Sequence, residues 1–581
     1  MQPTERGYFQ VDVAGLALGS LYLYCLDNGQ QRPDPASRFQ VEGVHGPSQI
    51  VDLHFDWQDQ SWKGLPLQDY LIYELHVGTF ADEGTFDDAV SHLDALKELG
   101  ITAIELMPVA QFPGNRNWGY DGVYPYAVQN SYGGPLALKR LVQACHERGL
   151  AAILDVVYNH LGPEGNYLGE FGHYFTDRYR TPWGDAINFD GPHSDEVRRF
   201  FIENALYWIT EFHFDALRLD AVHAIFDHSA WPFLAELSHA VHCRGEELNR
   251  PVYLIPESSL NDVRLIRPWA QGGYGCDAQW NDDFHHSLHA LLTGERTGYY
   301  QDFGRMEHLA KSLNEGFVYT GQYSAYRQRR HGNSAREASS HRLVVCTQNH
   351  DQVGNRRLGE RLSRLVSFED LKLAAATLLL SPCIPLLFMG EEYGETAPFL
   401  YFISHSDPDL VEAVRRGRQM EFAAFAGQGE TPDPQGETTF QRAKLNRGLL
   451  QEPKHRLLRK FYRELVHLRK TLPPLSVLCK ENLEVVGFEE EKVLFLRRWQ
   501  EASQVFAIFS FGTRDSELSL PLGTGLWTKV LDSEDPRWKL KAPVLDSPSA
   551  NTLPRTIRSN GTVTLVLQGK ALALFALKED Q

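Results

Sequence analysis

The order of elements along the chain predicts an α/β protein: a (β/α)8 TIM barrel over about residues 61–475, preceded by a partial β module over 1–60 and followed by a C-terminal β-sandwich over 476–581. Three observations carry this. First, short apolar runs alternate with amphipathic stretches about eight times. The strand candidates are Leu71–Leu75, Ala103–Met107, Ala152–Val157, Ala216–Asp220, Val252–Ile255, Asp277–Trp280, Leu343–Thr347 and Pro385–Phe388. Repeated βα alternation closes into a parallel barrel. Second, several of these strands end on acids or histidines, and chemistry in such barrels sits at the carboxyl ends. Third, both flanks change texture to short alternating runs bounded by turn residues.

The elements follow in order. Gly7–Val13 and Ser20–Asp27 alternate in polarity, and Asp27-Asn28-Gly29 marks a hairpin. Arg32-Pro33-Asp34-Pro35 then interrupts regular structure. The helix predicted at Phe86–Leu99 opens with acids and closes at Gly100. Pro135–Glu147, Ser194–Glu211 and Phe368–Leu380 are the other clear helical patterns. A long loop at about 162–192 reads as a small subdomain, and about 402–454 as a charged insertion with helical pieces. Arg456–Arg469 resumes an amphipathic helix, and the tail reads as strands, among them Val493–Arg497, Gln504–Ser510 and Val563–Val566. The apolar run Leu373–Met389 contains Ser381, Pro382 and Pro385, so it reads as a buried helix and strand rather than a membrane span.

Composition narrows the partners. A net charge of -18 argues against nucleic acid and anionic membrane. A neutral ligand is indifferent to that charge, and 12% aromatic residues supply flat apolar faces. The seven cysteines are scattered, with no C-x-x-C, which fits reduced thiols in the cytoplasm better than a disulfide frame or zinc site. No cofactor is expected, and composition says nothing of oligomeric state.

The chemistry centres on Phe214–His223, Phe-Asp-Ala-Leu-Arg-Leu-Asp-Ala-Val-His. Residues two apart on a strand share a face, so Arg218 lies beside Asp220 and keeps it ionised, as a covalent nucleophile requires. Alone, such a pair is more often structural. The third strand, however, runs into Asp155-Val-Val-Tyr-Asn-His160, the fifth ends at Glu257, and the seventh in Gln348-Asn-His-Asp-Gln352. Asp220, Glu257 and Asp351 then converge on one rim with His160, His223 and His350. Clustered carboxylates on an aromatic rim suggest glycoside chemistry.

These four fragments resemble the signature regions of the α-amylase superfamily of glycoside hydrolases. The resemblance covers about 65–470 and implies a retaining mechanism. Asp220 is then the nucleophile, Glu257 the general acid/base and Asp351 the third acid, gripping the sugar in the transition state. It implies that Arg218, His160 and His350 hold the reacting ring, that Tyr120 in Trp-Gly-Tyr-Asp stacks on it, and that Asp155 braces the arginine. Ala216 and Pro256-Glu-Ser-Ser259 depart from the usual pattern without removing a reacting group.

Tyr73-Glu-Leu-His-Val-Gly-Thr-Phe80, Asp277-Ala-Gln-Trp-Asn-Asp-Asp-Phe-His-His286 and Phe388-Met-Gly-Glu-Glu-Tyr-Gly394 are similar to one subfamily, the maltooligosyltrehalose trehalohydrolases. That implies maltooligosyl trehalose as substrate, and an immunoglobulin-like module before the barrel of which only the latter half is read here. Related enzymes often carry calcium in the 162–192 loop. This subfamily generally does not, and the loop lacks a dense Asp/Asn run. Three readings remain for 277–289: a metal site using His285 and His289, a structural helix start, or a polar wall in which Trp280 and Asp282 meet the leaving trehalose. Of Glu391 and Glu392, one is expected at the rim and one in solvent. Branching or debranching enzymes, and a binding protein on an inactive barrel, are the rival functions.

Overall fold

The apolar runs form eight parallel strands: β1 (Ile72–Leu75), β2 (Ala103–Leu106), β3 (Ala151–Val156), β4 (Ala216–Leu219), β5 (Tyr253–Pro256), β6 (Gln279–Trp280), β7 (Leu343–Cys346) and β8 (Ile384–Phe388). The computed structural model describes residues 1–181, 183–423, 431–540 and 553–578. The hydrogen-bonded order is β5-β4-β3-β2-β1-β8-β7-β6. The ring closes where the Asp277 amide, just before β6, donates to the Leu254 carbonyl of β5 at 2.9 Å. Each strand sits within a residue or two of its predicted position.

Side chains at alternate strand positions share a face, and that sets the barrel's interior. Its lower layers are apolar, with Ile72, Ile153, Ile255, Val344, Ile384 and Leu386 in one cluster. Two residues further along, the same face turns charged: Ile72 leads to Glu74, Ala103 to Glu105, Ile153 to Asp155 and Ala216 to Arg218. Register binds these positions together. Glu74 is opposite Glu105, and Asp155 is opposite Arg218.

The helices around the barrel are α1 (Phe86–Val90), α2 (Leu93–Leu99), α3 (Gly134–Glu147), α4 (Ser194–Glu211), α5 (Phe233–Glu247), α6 (Asp282–Thr293), α7 (Met306–Glu315), α8 (Phe368–Leu379) and α9 (Pro453–Thr471). The single helix predicted at Phe86–Leu99 is two. Ser91 Oγ donates to the Asp88 carbonyl at 2.7 Å, a side-chain bond that competes with helix continuation. The apolar run Leu373–Met389 is α8 plus β8, wholly buried. The carbonyls after α8 are satisfied by two buried arginines. Arg469 donates to Leu379, Ser381 and Cys383, and Arg498 to Leu380 and Ser381. Among the described residues no helix is long and apolar enough to cross a membrane.

Before the barrel, only two-residue strands form. Tyr24–Cys25 pairs with Gln31–Arg32 across the predicted Asn28-Gly29 turn, and Leu21–Tyr22 pairs with Ser48–Gln49. The 162–192 loop contains an antiparallel pair, Phe175–Thr181 with Gly184–Ile187. Of the 402–454 insertion, residues 424–430 lie outside the described residues. The C-terminal strands are β9 (Leu483–Phe488), β10 (Val493–Gln500), β11 (Ser503–Ser510), β12 (Ser516–Asp532), β13 (Thr556–Leu567) and β14 (Leu572–Lys578), in the order β9-β10-β11-β14-β12-β13. Long β12 pairs with both β13 and β14 and shifts register at Gly525, whose φ is 148°. This folds the antiparallel strands into a β-sandwich around Phe495, Phe506, Trp527 and Phe575.

At the opposite end of the barrel from the charged ring lies a second buried polar cluster. His146 of α3 bridges Asp59 (2.7 Å) and Asp215 (3.0 Å), and Arg250 and Trp62 Nε1 also reach Asp215. His213 adds a second contact to Asp59 at 2.8 Å. Partners far apart in sequence thus tie the segment before the barrel to its floor.

Candidate active site

Arg218 is the hub of the upper ring. Its side chain is fully buried, and its Cζ lies 4.4 Å from the centroid of the Trp280 ring. Nη1 donates to both oxygens of Asp155 (2.9 and 2.8 Å) and to Asp220 Oδ1 (2.8 Å). Asp220 Oδ2 accepts from Asn159 Nδ2 at 2.7 Å. Burial opposes the Asp220 charge, but Arg218, His160 and Asn159 outweigh it and hold the pKa below the ordinary carboxylate range.

Glu257 lies across the same guanidinium, with Oε2 3.7 Å from Arg218 Nη2. Oε2 also accepts the Ala221 amide at 2.7 Å. Ala221 has φ 41° and ψ 49°, a left-handed conformation that costs a non-glycine residue about 1–2 kcal/mol. That turn, immediately after Asp220, aims its N–H at Glu257. Burial, reinforced by repulsion from Asp220, Asp282 and Asp351 and opposed by Arg218, pushes Glu257 up to about 8. One arginine thus stands between two carboxyls whose environments drive them to opposite protonation states, the pattern of a nucleophile with a general acid.

Asp351 is the most open of the three acids, with 44% of its side chain exposed and Oδ1 3.6 Å from His350 Nε2. His350 is buried: its Nδ1 meets Glu74 Oε1, its amide donates to Glu74 Oε2 (3.1 Å), and its Nε2 meets the Tyr120 hydroxyl (2.8 Å). Burial disfavours the His350 cation, but Glu74 and Asp351 outweigh it, raising the pKa to about 9. Tyr120 donates to Asp155 Oδ2 at 2.7 Å. Burial lifts Asp155 to about 7 despite Arg218. His160 binds the Tyr120 carbonyl through Nε2 (2.9 Å) and stacks on Trp183 at 3.9 Å.

The remaining expected residues are placed unevenly. Asp282, at the start of α6, stays partly open, and burial with repulsion from Asp351 pushes it up to about 7. His223 is exposed beyond the rim. Trp280, read as a contact to the leaving sugar, is only 4% exposed and underlies Arg218 instead. Its strand position turns it into the barrel. His285 and His289, candidates for a metal site, are occupied by Tyr300 and the Thr347 carbonyl, and by Glu295. Glu391 and Glu392 correct the expectation of one rim and one solvent residue. Both are 5% exposed, accepting from Thr347 and Tyr462, and from Tyr73.

Sequence reasoning passed over several members. Asn159 holds the nucleophile candidate, and Glu74 holds His350. Trp183, 48% exposed, offers a stacking face over His160. Glu105 is buried with no hydrogen-bond partner for either oxygen among the described residues, and burial raises its pKa well above the usual range. Acids inside fully buried strands were the available signal for Glu74 and Glu105.

The α-amylase catalytic-domain model matches residues 55–183. A malto-oligosyltrehalose trehalohydrolase from Saccharolobus solfataricus is 49% identical over 84% of this chain and 83% of its own length. The chain belongs to the malto-oligosyltrehalose trehalohydrolase family. A second such relative, from Arthrobacter ramosus, is 49% identical over 78% of this chain and 79% of its own. A Salmonella typhimurium crystal structure assigned as an alpha amylase aligns with TM-score 0.88 and 39% identity, covering 100% of this chain and 94% of that one.

Proposed function

We propose that this glycoside hydrolase cleaves the α-1,4 bond beside the terminal trehalose of maltooligosyl trehalose, releasing trehalose and a shortened maltooligosaccharide by retaining double displacement. The observation that carries the reading is the split of Asp220 and Glu257 across Arg218, one held ionised and the other protonated. Glu257 gives its proton to the glycosidic oxygen while Asp220 Oδ attacks the anomeric carbon. The bond to the leaving oxygen breaks, and the glycosyl–Asp220 ester forms. Glu257, now a carboxylate, takes a proton from water, which attacks the ester and frees Asp220.

Asp351 grips the ring hydroxyls, with His350, Tyr120 and His160 around the same ring. Asp282, partly open beside Asp351, belongs to the wall that meets the leaving trehalose. A polar wall of this kind rejects analogues lacking the partnered hydroxyl sharply. Its reduced, dispersed thiols suit a cytoplasmic setting. Incubation with maltotriosyl trehalose and with maltopentaose tests the function. Trehalose from the first and little cleavage of the second is expected; equal cleavage of both, or chain transfer in place of hydrolysis, overturns it.

A further inference from the structure

Glu74 lies in the Tyr73–Phe80 stretch but has no role assigned by it, yet it is 1% exposed and both its oxygens are taken by one residue, His350. The other side of His350 decides its proton count. Tyr120 has one hydroxyl proton, and it goes to Asp155 Oδ2. While Asp155 is ionised, the Tyr120 oxygen is an acceptor toward His350 Nε2, 2.8 Å away, and Nε2 carries hydrogen. Nδ1 faces a carboxylate and carries hydrogen too. From Asp155 the chain of contacts continues through Arg218 Nη1 to Asp220.

We propose that Glu74 is a positioning residue: it keeps His350 doubly protonated, and through Tyr120, Asp155 and Arg218 it fixes the face on which Asp220 attacks. The charged and titratable groups facing His350 are Glu74 on β1, Glu105 on β2, Asp155 on β3, Arg218 on β4, Asp351 beside it, His76 after β1 and Tyr120 on the loop after β2. Among the described residues, only Glu74 meets Nδ1. Without it, Asp351 and Asp155 alone oppose the burial of the cation, and His350 falls back to near the ordinary histidine value.

The inference rests on the glycosidase reading, so the test uses maltosyl fluoride. Its leaving group needs no proton from Glu257, and it reports the Asp220 face without requiring trehalose specificity. In Glu74→Gln, kcat/KM is expected to fall about 30-fold between about pH 5.5 and pH 8, following loss of the His350 proton at about 6.5. The wild type shares any change from Asp155, which titrates near 7, but it keeps His350 charged up to about 9 and should lack that 30-fold fall. The ratio of two pH values within one preparation is independent of the fraction folded. The double variant Glu74→Gln/His350→Asn should be no worse than His350→Asn alone. A pH-independent loss in Glu74→Gln, or additive losses in the double variant, overturns the proposal. An enzyme active on maltosyl fluoride that releases no trehalose would instead sink the proposed substrate and leave this inference standing.

Discussion

The two ends of the barrel each bury a cluster of charges, and the clusters are built on opposite principles. At the floor, Asp59 and Asp215 face His146 and Arg250, and the contacts are short and reciprocal. Burial works against the charges of Asp59, Asp215 and His146, yet their partners win. Asp59 and Asp215 are lowered, held down mainly by His146, while His146 is raised by the two carboxylates. At the rim, Glu74, Glu105, Asp155, Asp220 and Glu257 share Arg218 and His350. Acids outnumber cations, so protons must make up the difference. Glu105 and Glu257 are driven toward the neutral form while Asp220 is driven toward the anion. Matched buried charges hold a structure together. Mismatched ones leave groups poised to exchange protons, which is what acid–base chemistry needs.

The largest effect expected is at the rim. Glu257→Gln should lower kcat by about 10²–10⁴ on maltooligosyl trehalose. On maltosyl fluoride the loss in the first step should be much smaller, because fluoride departs without a proton. Equal losses on both substrates would remove Glu257 from the acid role.

The floor should fail in a different currency. His146→Leu takes the shared partner from two buried carboxylates, leaving Asp59 with His213 and Asp215 with Arg250 and Trp62, and should destabilise the fold by roughly 3 kcal/mol in denaturant unfolding. Activity per folded molecule should hold. The pH dependence sharpens this. The carboxylate contribution is present above about pH 4 and lost on acidification through the lowered folded pKa values. The His146 contribution is full below about pH 6.5 and lost as pH rises through its raised folded pKa. The stability gap between wild type and variant should therefore be widest between about pH 4 and pH 6.5. A gap that is flat with pH contradicts the ion-pair account.

A smaller effect is a shape rather than a loss. Wild-type kcat/KM should rise with pH below the ordinary carboxylate range as Asp220 ionises, and fall near 8 as Glu257 loses its proton. The smallest is Glu105→Gln. An already neutral carboxyl replaced by an isosteric amide should change stability by less than about 1 kcal/mol, with no pH dependence. A loss that grows with pH would show that Glu105 is ionised.

The same contrast explains what the sequence could and could not show. Strands are written in runs of neighbouring residues, so all eight were readable within a residue or two. The rim acids sit at strand ends, where position alone suggests chemistry. The burial of Trp280 was not readable because which face of a two-residue strand points inward depends on barrel closure, not on its neighbours. Glu74 and Glu105 sit where an apolar residue is the default, and nothing adjacent explains them. The floor cluster was invisible for a related reason. Asp59 meets His213 from 154 positions away, and His146 meets Asp215 from 69. Only the fold brings such partners together.

One measurement tests the division of labour at the rim most directly. A slow fluorinated α-glycosyl fluoride should accumulate its ester on the nucleophile, and mass spectrometry of the digested protein would locate it. The sugar is expected on the peptide containing Asp220. Sugar on Glu257 or Asp351, or turnover with inversion and no ester, contradicts the account.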